Sequence, residues 1–126
     1  MSGFWSKAER AAASARILLA AGHGDGAVNR AYYAMYFAAR ATLERIDAKS
    51  AAAKRHATLI GQFSRLVVRG QGLDPGLGRM LNLAFDQRLV ADYEVEDMPA
   101  EDATEIVEDM ARFMAALAPL NPGVAP

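Results

Sequence analysis

The chain has 126 residues, of which 52% are hydrophobic, and 14 basic against 15 acidic side chains give a formal net charge of −1. This length suits one domain with its own core over residues 1–126, and the balanced charge does not indicate a general nucleic-acid-binding surface. The absence of cysteine excludes disulfides and thiolate chemistry, and without an apolar run of ~20 residues or a secretory signal we expect a cytoplasmic protein outside the membrane.

The sequence predicts an all-α fold, an antiparallel bundle of about five helices. Alanine is abundant, strand-like alternation is absent, and glycine and proline fall at the predicted boundaries. The expected helices cover residues 4–21, 26–46, 50–70, 75–93 and 99–118. The segment "GHGDG" ends the first. Asp25 and Ser50 are predicted N-caps of the second and third, and Asp74 followed by Pro75 begins the fourth.

The second predicted helix carries apolar side chains on two sides. Its predicted core side consists of Val28, Tyr32, Met35, Ala39, Thr42 and Ile46. The opposite side holds Arg30, Tyr33 and Phe37, next to the small Ala34 and Ala41. Apolar groups on both sides require burial on both sides, either by another helix of the chain or by a second subunit. Since interfaces favour large aromatic residues with arginine, we predict a homodimer with Tyr33 and Phe37 at its interface.

The third predicted helix opens with the consecutive Lys54, Arg55 and His56. A histidine near an apolar stripe is commonly structural. Two neighbouring cations nevertheless disfavour its charged form, which suits a neutral proton acceptor near pH 7. With an arginine to hold the phosphate, such a base can cleave RNA without metal. We therefore predict His56 as a catalytic base and Lys54, Arg55 and Arg30 as phosphate-binding residues.

Neither a metal site nor a cofactor site is predicted. The chain has two histidines, His23 and His56, which are far apart in the sequence and lack a ligand-spaced cluster. The glycines of "GHGDG" are not followed by the Lys-Ser/Thr pair of a phosphate-binding P-loop.

The fourth predicted helix places charge on its core side. Leu77, Leu81 and Ala84 follow the spacing of a core stripe, and the same line continues to Arg88 and Asp92. A half-buried arginine costs several kcal/mol, by order of magnitude, unless it is paired. Arg88 and Asp92 are therefore either a structural ion pair or part of a catalytic cleft.

Three blocks of the chain, "AVNRAYYAMYFAARATLE", "KRHATLIGQF" and "RLVADYE", together resemble the HEPN domain family. The resemblance runs from about residue 5 to 118. It is nearest to short single-domain members often encoded beside a minimal nucleotidyltransferase. It implies an antiparallel helical bundle that forms homodimers. It further implies either a metal-independent ribonuclease acting as a toxin or a non-catalytic binding subunit of the nucleotidyltransferase.

The family's catalytic pattern is an arginine, four to six residues, and a histidine. Arg88 matches the arginine, but Tyr93 stands five residues later and no histidine follows. Either His56 supplies the proton chemistry, or Asp92 and Tyr93 act with Arg88 in a modified or purely binding site. In related pairs the nucleotidyltransferase antitoxin adds AMP to a tyrosine near this motif, and Tyr93 is the nearest match. The resemblance thus predicts an RNA-cleaving toxin with a nucleotidyltransferase partner.

Overall fold

The computed structural model describes residues 3–51 and 55–122. These residues form helices and no strand, which confirms the all-α, HEPN-like prediction. In chain order the helices are α1 (Gly3–Ala20), α2 (Gly24–Ile46), the single turn α3 (Ala48–Ala51), α4 (His56–Gln62), α5 (Gly76–Tyr93) and α6 (Ala100–Leu117). A π-helix, Phe63–Arg69, continues α4, and a 3₁₀ turn, Ala118–Leu120, follows α6.

Helix α2 is the centre of the bundle and packs against α1, α5 and α6. Its predicted core residues are fully buried except Ile46, which is 37% exposed because it ends the helix at the edge of the bundle. Ala34 and Ala41 are fully buried within the single chain. Tyr33 and Phe37 are half-buried and pack against the core from its surface. The second side of α2 is therefore covered by the same chain at its alanines and only partly at its aromatic rings.

Two helices are followed by a glycine in the left-handed conformation, Gly22 after α1 and Gly72 after the π-helix. At the end of α1, Gly22 has φ +82°, and the next N–H, that of His23, donates to the carbonyl of Leu18. Gly72 has φ +67°, and the N–H of Leu73 donates to the carbonyl of Val68. Both are Schellman closures, in which glycine supplies the left-handed residue. The predicted stop at "GHGDG" is confirmed.

The predicted cap at Asp25 is wrong. Helix α2 starts two residues earlier than predicted, at Gly24, and Asp25 lies inside its first turn. Its carboxylate accepts a hydrogen bond from the N–H of Met98 (2.9 Å), and its own N–H donates to Oδ1 of Asp97 (2.9 Å). Asp25 therefore joins the start of α2 to the connection between α5 and α6. This tertiary contact replaces the local cap.

The predicted start of the third helix at Ser50 is also wrong. Ser50 belongs to the separate single-turn helix α3. The cap of α3 is Asp47, whose Oδ1 accepts a hydrogen bond from the N–H of Lys49 (3.2 Å). The longer helix α4 begins only at His56. Asp47 and Ser50 are both suitable N-cap residues, and the one that caps a helix here is Asp47, directly after the end of α2.

Asp74 performs the predicted role with a shift of one residue. Its Oδ1 accepts a hydrogen bond from the N–H of Gly76 (2.8 Å), and α5 begins at Gly76 after Pro75. The carboxylate thus satisfies a free N–H of the first turn.

Candidate functional site

Arg88 lies on the buried side of α5. Leu77, Leu81 and Ala84 are buried as the periodicity predicts, and the Arg88 side chain that continues their line is 16% exposed. Its NH1 donates to Oδ2 of Asp92 at 3.1 Å. The side chain of Asp92 is 31% exposed near the end of α5, so of the two expected positions, core or open cleft, it does not take the core.

Aromatic rings surround the guanidinium of Arg88. Its Cζ lies 5.4 Å from the ring centre of Tyr32, 5.6 Å from that of Tyr33 and 5.5 Å from that of Phe85. Its Nε is buried and has no hydrogen-bond partner among the described residues. The negative ring faces offset part of the cost of removing the cation from water. The rings accept no hydrogen bond from Nε, so this N–H donor of Arg88 stays unsatisfied among the described residues.

A polar chain links Asp92 to α2. Nδ2 of Asn29 donates to Oδ1 of Asp92 at 3.3 Å. The Oδ1 of Asn29 in turn accepts from Nε and NH2 of Arg30, at 3.1 and 2.9 Å. Arg30, predicted from the sequence, is therefore brought to the same region as Arg88, with Asn29 and Asp92 between them.

His56 is half-buried at the start of α4 and stacks on Tyr36, with ring centres 4.4 Å apart. Burial lowers the pKa of His56, and the nearby cations Arg88 and Arg40 lower it further. The imidazole is therefore neutral near pH 7. This direction of the pKa shift is the one predicted, and the described cations that lower it, Arg88 and Arg40, are remote from His56 in the sequence.

Tyr32 connects His56 to Arg88. Its hydroxyl lies 2.6 Å from Nδ1 of His56, and its ring contacts the guanidinium of Arg88. Burial raises the pKa of Tyr32 above its usual value, so the phenol keeps its proton. Two arrangements satisfy this bond. Tyr32 donates to Nδ1 while Nε2 carries the imidazole proton, or Nδ1 donates to the phenol and leaves Nε2 free as a base.

The contacts around Arg88 define one group of side chains, the Arg88 cluster: Asn29, Arg30, Tyr32, Tyr36, Arg40, His56, Arg88 and Asp92. Three predicted residues lie outside this cluster. Tyr93, at the end of α5, is 81% exposed, and its side chain forms no ring contact or hydrogen bond with the described residues. Arg55 is exposed at the N-cap position of α4. Lys54 lies outside the described residues.

Three further residues of the cluster were missed from the sequence: Asn29, Tyr36 and Arg40. NH1 of Arg40 donates to the hydroxyl of Tyr36 at 3.0 Å, next to the imidazole. Tyr32, Tyr36 and Arg40 are spaced at i, i+4 and i+8, and this line of polar aromatics ending in a cation was the available signal.

Within residues 3–51 and 55–122, no three His, Asp or Glu side chains group as possible metal ligands. No helix in those ranges has the length and apolar character needed to cross a membrane.

Comparisons with known proteins agree with this architecture. The model of the HEPN domain matches residues 1–120. A UPF0332 protein of Gloeobacter violaceus is 32% identical over 110 residues, covering 86% of this chain and 85% of its own. A UPF0332 protein of Thermotoga maritima is 28% identical over 104 residues, covering 82% and 76%. A Methanocaldococcus jannaschii protein named "putative toxin" is 30% identical over 107 residues, covering 85% and 78%. The chain belongs to the HEPN domain family.

Proposed function

We propose that the protein is a toxin-type HEPN ribonuclease that cleaves RNA without a metal ion and is silenced by a nucleotidyltransferase antitoxin. The observation that carries the proposal is that one residue, Tyr32, contacts both proposed catalytic groups. Its ring lies against the largely desolvated cation Arg88, and its hydroxyl is hydrogen-bonded to the neutral imidazole of His56. The name of the Methanocaldococcus relative supports a toxin role.

Each proposed catalytic group has a separate task. His56 takes the proton from the 2′-hydroxyl of the RNA through Nε2, in the arrangement where Nδ1 donates to Tyr32. The 2′-oxygen attacks the adjacent phosphorus, and Arg88 holds the non-bridging oxygens as negative charge develops. The bond to the 5′-oxygen breaks and that oxygen receives the proton from His56. The products are a 2′,3′-cyclic phosphate and a 5′-hydroxyl. Asp92 orients Arg88, and Arg30 binds a neighbouring phosphate.

A second candidate function is a non-catalytic subunit that presents a ligand or its own tyrosine to a nucleotidyltransferase. The observation favouring it is Tyr93, which stands where the family pattern has histidine and exposes 81% of its surface. An exposed hydroxyl of this kind is accessible as an acceptor of AMP. The bond between Tyr32 and Nδ1 of His56 also gives the imidazole a structural role.

We further propose that the protein acts as a homodimer with Tyr33 and Phe37 at its interface. Both rings are half-buried in the single chain, so a second copy can cover their outer surfaces. Burying the remainder of a large aromatic side chain contributes up to about 1.5–3 kcal/mol.

RNA cleavage in the presence of a chelator separates the two candidate functions. We expect wild-type protein to cleave RNA with EDTA present and to arrest growth when expressed alone. His56→Ala should lose about 100-fold or more in rate while remaining folded. His23→Ala is the matched control, because His23 is exposed and lies outside the cluster. Wild-type protein that neither cleaves nor arrests growth would favour the binding subunit, whereas a fully active His56→Ala would remove His56 from the mechanism.

A further inference from the structure

A cationic pocket lies between α1 and α2, beside the Arg88 cluster. It is open, has a volume of about 170 Å³, and is lined by Lys7, Arg10, Ala11, Ser14, Arg30 and Phe37. Three of these six residues are cations and none is acidic. In a chain whose total charge is nearly balanced, this is a local concentration of positive charge.

Two of the three cations of the pocket, Lys7 and Arg30, lie against aromatic rings, and none of the three forms an ion pair with an acidic side chain among the described residues. The Nζ of Lys7 lies 4.7 Å from the ring centre of Phe37, and the guanidinium of Arg30 lies 5.1 Å from that of Tyr33. Arg30 donates its hydrogen bonds to the neutral amide of Asn29. Aromatic faces and amides fix the direction of a cation but leave its net charge available to an anion.

The pocket is continuous with the Arg88 cluster along one side of α2. The ring of Tyr33 lies between Arg30 and Arg88, at 5.1 and 5.6 Å from their guanidinium carbons. The ring of Phe37, one turn later, lies 5.8 Å from that of Tyr33 and lines the pocket. Because the ring of Tyr33 contacts both Arg88 and Arg30, which lines the pocket, one extended strand can reach both places.

We infer that this pocket binds a backbone phosphate of the same single-stranded RNA whose scissile phosphate lies at Arg88. The inference rests on the proposed ribonuclease function and adds Lys7, Arg10 and Ser14 to the RNA-binding residues. The strand follows the spaced cations, which is how a positively charged groove tracks a single nucleic-acid backbone, and the outer faces of Tyr33 and Phe37 stay available to the second copy. Charge-assisted N–H donors and the Ser14 hydroxyl suit phosphate oxygens.

Binding of an RNA that cannot be cleaved tests the inference independently of catalysis. We would measure fluorescence anisotropy with a labelled 2′-O-methyl RNA of about eight nucleotides, and with a dinucleotide that reaches Arg88 alone. Arg10→Glu is the test variant. Arg16→Glu is the matched control, since Arg16 is exposed on the same helix but lines a different groove, against α6.

Arg10→Glu should weaken binding of the longer RNA on the order of tenfold and reduce the slope of log affinity against log salt by about one. Arg16→Glu should stay within about twofold of wild type, and dinucleotide binding should be unchanged in both. Equal losses in the two variants, or none in Arg10→Glu, would overturn the inference. An affinity that falls only together with the oligomeric state seen by light scattering would assign the pocket to a second copy and also overturn it. Absence of cleavage by wild type would refute the ribonuclease proposal but leave these binding results decisive.

Discussion

At the scale of single residues, Arg88 has an environment that a structural ion pair alone does not require. Its partner Asp92 is at the rim, its Nε is buried without a hydrogen-bond partner among the described residues, and three rings enclose it. The base-before-acid order of Arg88 and Asp92 is also the less favourable one within a helix. We take these features as support for the proposed phosphate contact of Arg88 over a purely structural role in α5.

Substitution of Arg88 separates these roles. If Arg88 binds the transition state, Arg88→Lys should lose nearly as much cleavage activity as Arg88→Ala. Lysine keeps the charge but lacks the planar fork that grips two phosphate oxygens. Asp92→Asn should cost only on the order of 1 kcal/mol in the free energy of unfolding, because the carboxylate is partly exposed. Cleavage rates and melting curves should be measured on the same three variants.

Two results would contradict this assignment. One is an active Arg88→Lys. The other is an Arg88→Ala whose loss of activity follows its loss of folded protein. Either would make Arg88 a structural residue.

The neutral state of His56 depends partly on Arg88. Removing this cation in Arg88→Ala should raise the pKa of His56, whereas Arg88→Lys should leave it low; NMR titration of the ring proton would measure both. An unchanged pKa in Arg88→Ala would leave burial and Arg40 as the main causes.

The lowered pKa of His56 also links stability to pH. Because the unfolded chain binds this proton more readily, His56 should reduce stability as the pH falls below about 6.5, the usual pKa of the free side chain. Wild type should lose more stability between pH 7 and pH 5 than His56→Ala, measured by denaturant unfolding. Equal losses would contradict this linkage.

At the scale of the elements, the sequence correctly predicted the features that are determined within one helix, such as its buried positions and its end. The buried line Leu77, Leu81 and Ala84 and the glycine stop after α1 follow from local rules and are found in the structure. Asp25 shows where such rules fail. Asp25 is a favourable N-cap residue, but its carboxylate accepts a hydrogen bond from Met98, more than seventy positions away. A single sequence gives no sign of that pairing.

The link between Asp25 and Asp97 gives a prediction about pH. The N–H of Asp25 lowers the pKa of Asp97, with smaller effects from neighbouring N–H groups. Its stabilising effect should therefore be present above about pH 4, the usual pKa of aspartate, and be lost as the pH falls further. Asp97→Asn should melt below wild type at pH 7, and the difference between the two melting temperatures should shrink as the pH falls below about 4. The control is Glu96→Gln, the exposed neighbour, and an equal effect of that variant would contradict a specific role for Asp97.

At the scale of the whole molecule, the cluster combines residues from α2, α4 and α5. Residue type and spacing indicated Arg88, His56 and Arg30 as candidates. Their association with Asn29, Tyr36 and Arg40 depends on how three helices cross, which no pattern within one helix determines. Tyr32 illustrates the difference: the sequence predicted a core residue, which it is, yet its hydroxyl lies on the imidazole of His56.

The predicted homodimer is testable at the same scale. Light scattering at micromolar concentration should give twice the chain mass for wild type. Phe37→Glu should shift the protein towards monomer, because it would bury a charge against a second copy. Ile17→Glu is the control, since Ile17 is 68% exposed on α1. A monomeric wild type would refute the dimer, and equal dissociation by Ile17→Glu would move the interface elsewhere.

The π-helix that follows α4 has a consequence for how this chain tolerates changes in length. Its hydrogen bonds span five residues instead of four, as from the N–H of Gly70 to the carbonyl of Arg65, so each turn holds one residue more than an α-turn. Deleting Arg65 should let the segment return to α-helical spacing with His56 still facing Tyr36. Deleting the exposed Asp86 from α5 would instead turn Arg88 by about 100° relative to the preceding turns. Gaps of one position in alignments of relatives are therefore expected in this segment and not in α5, and circular dichroism of the two deletion variants would compare their folding.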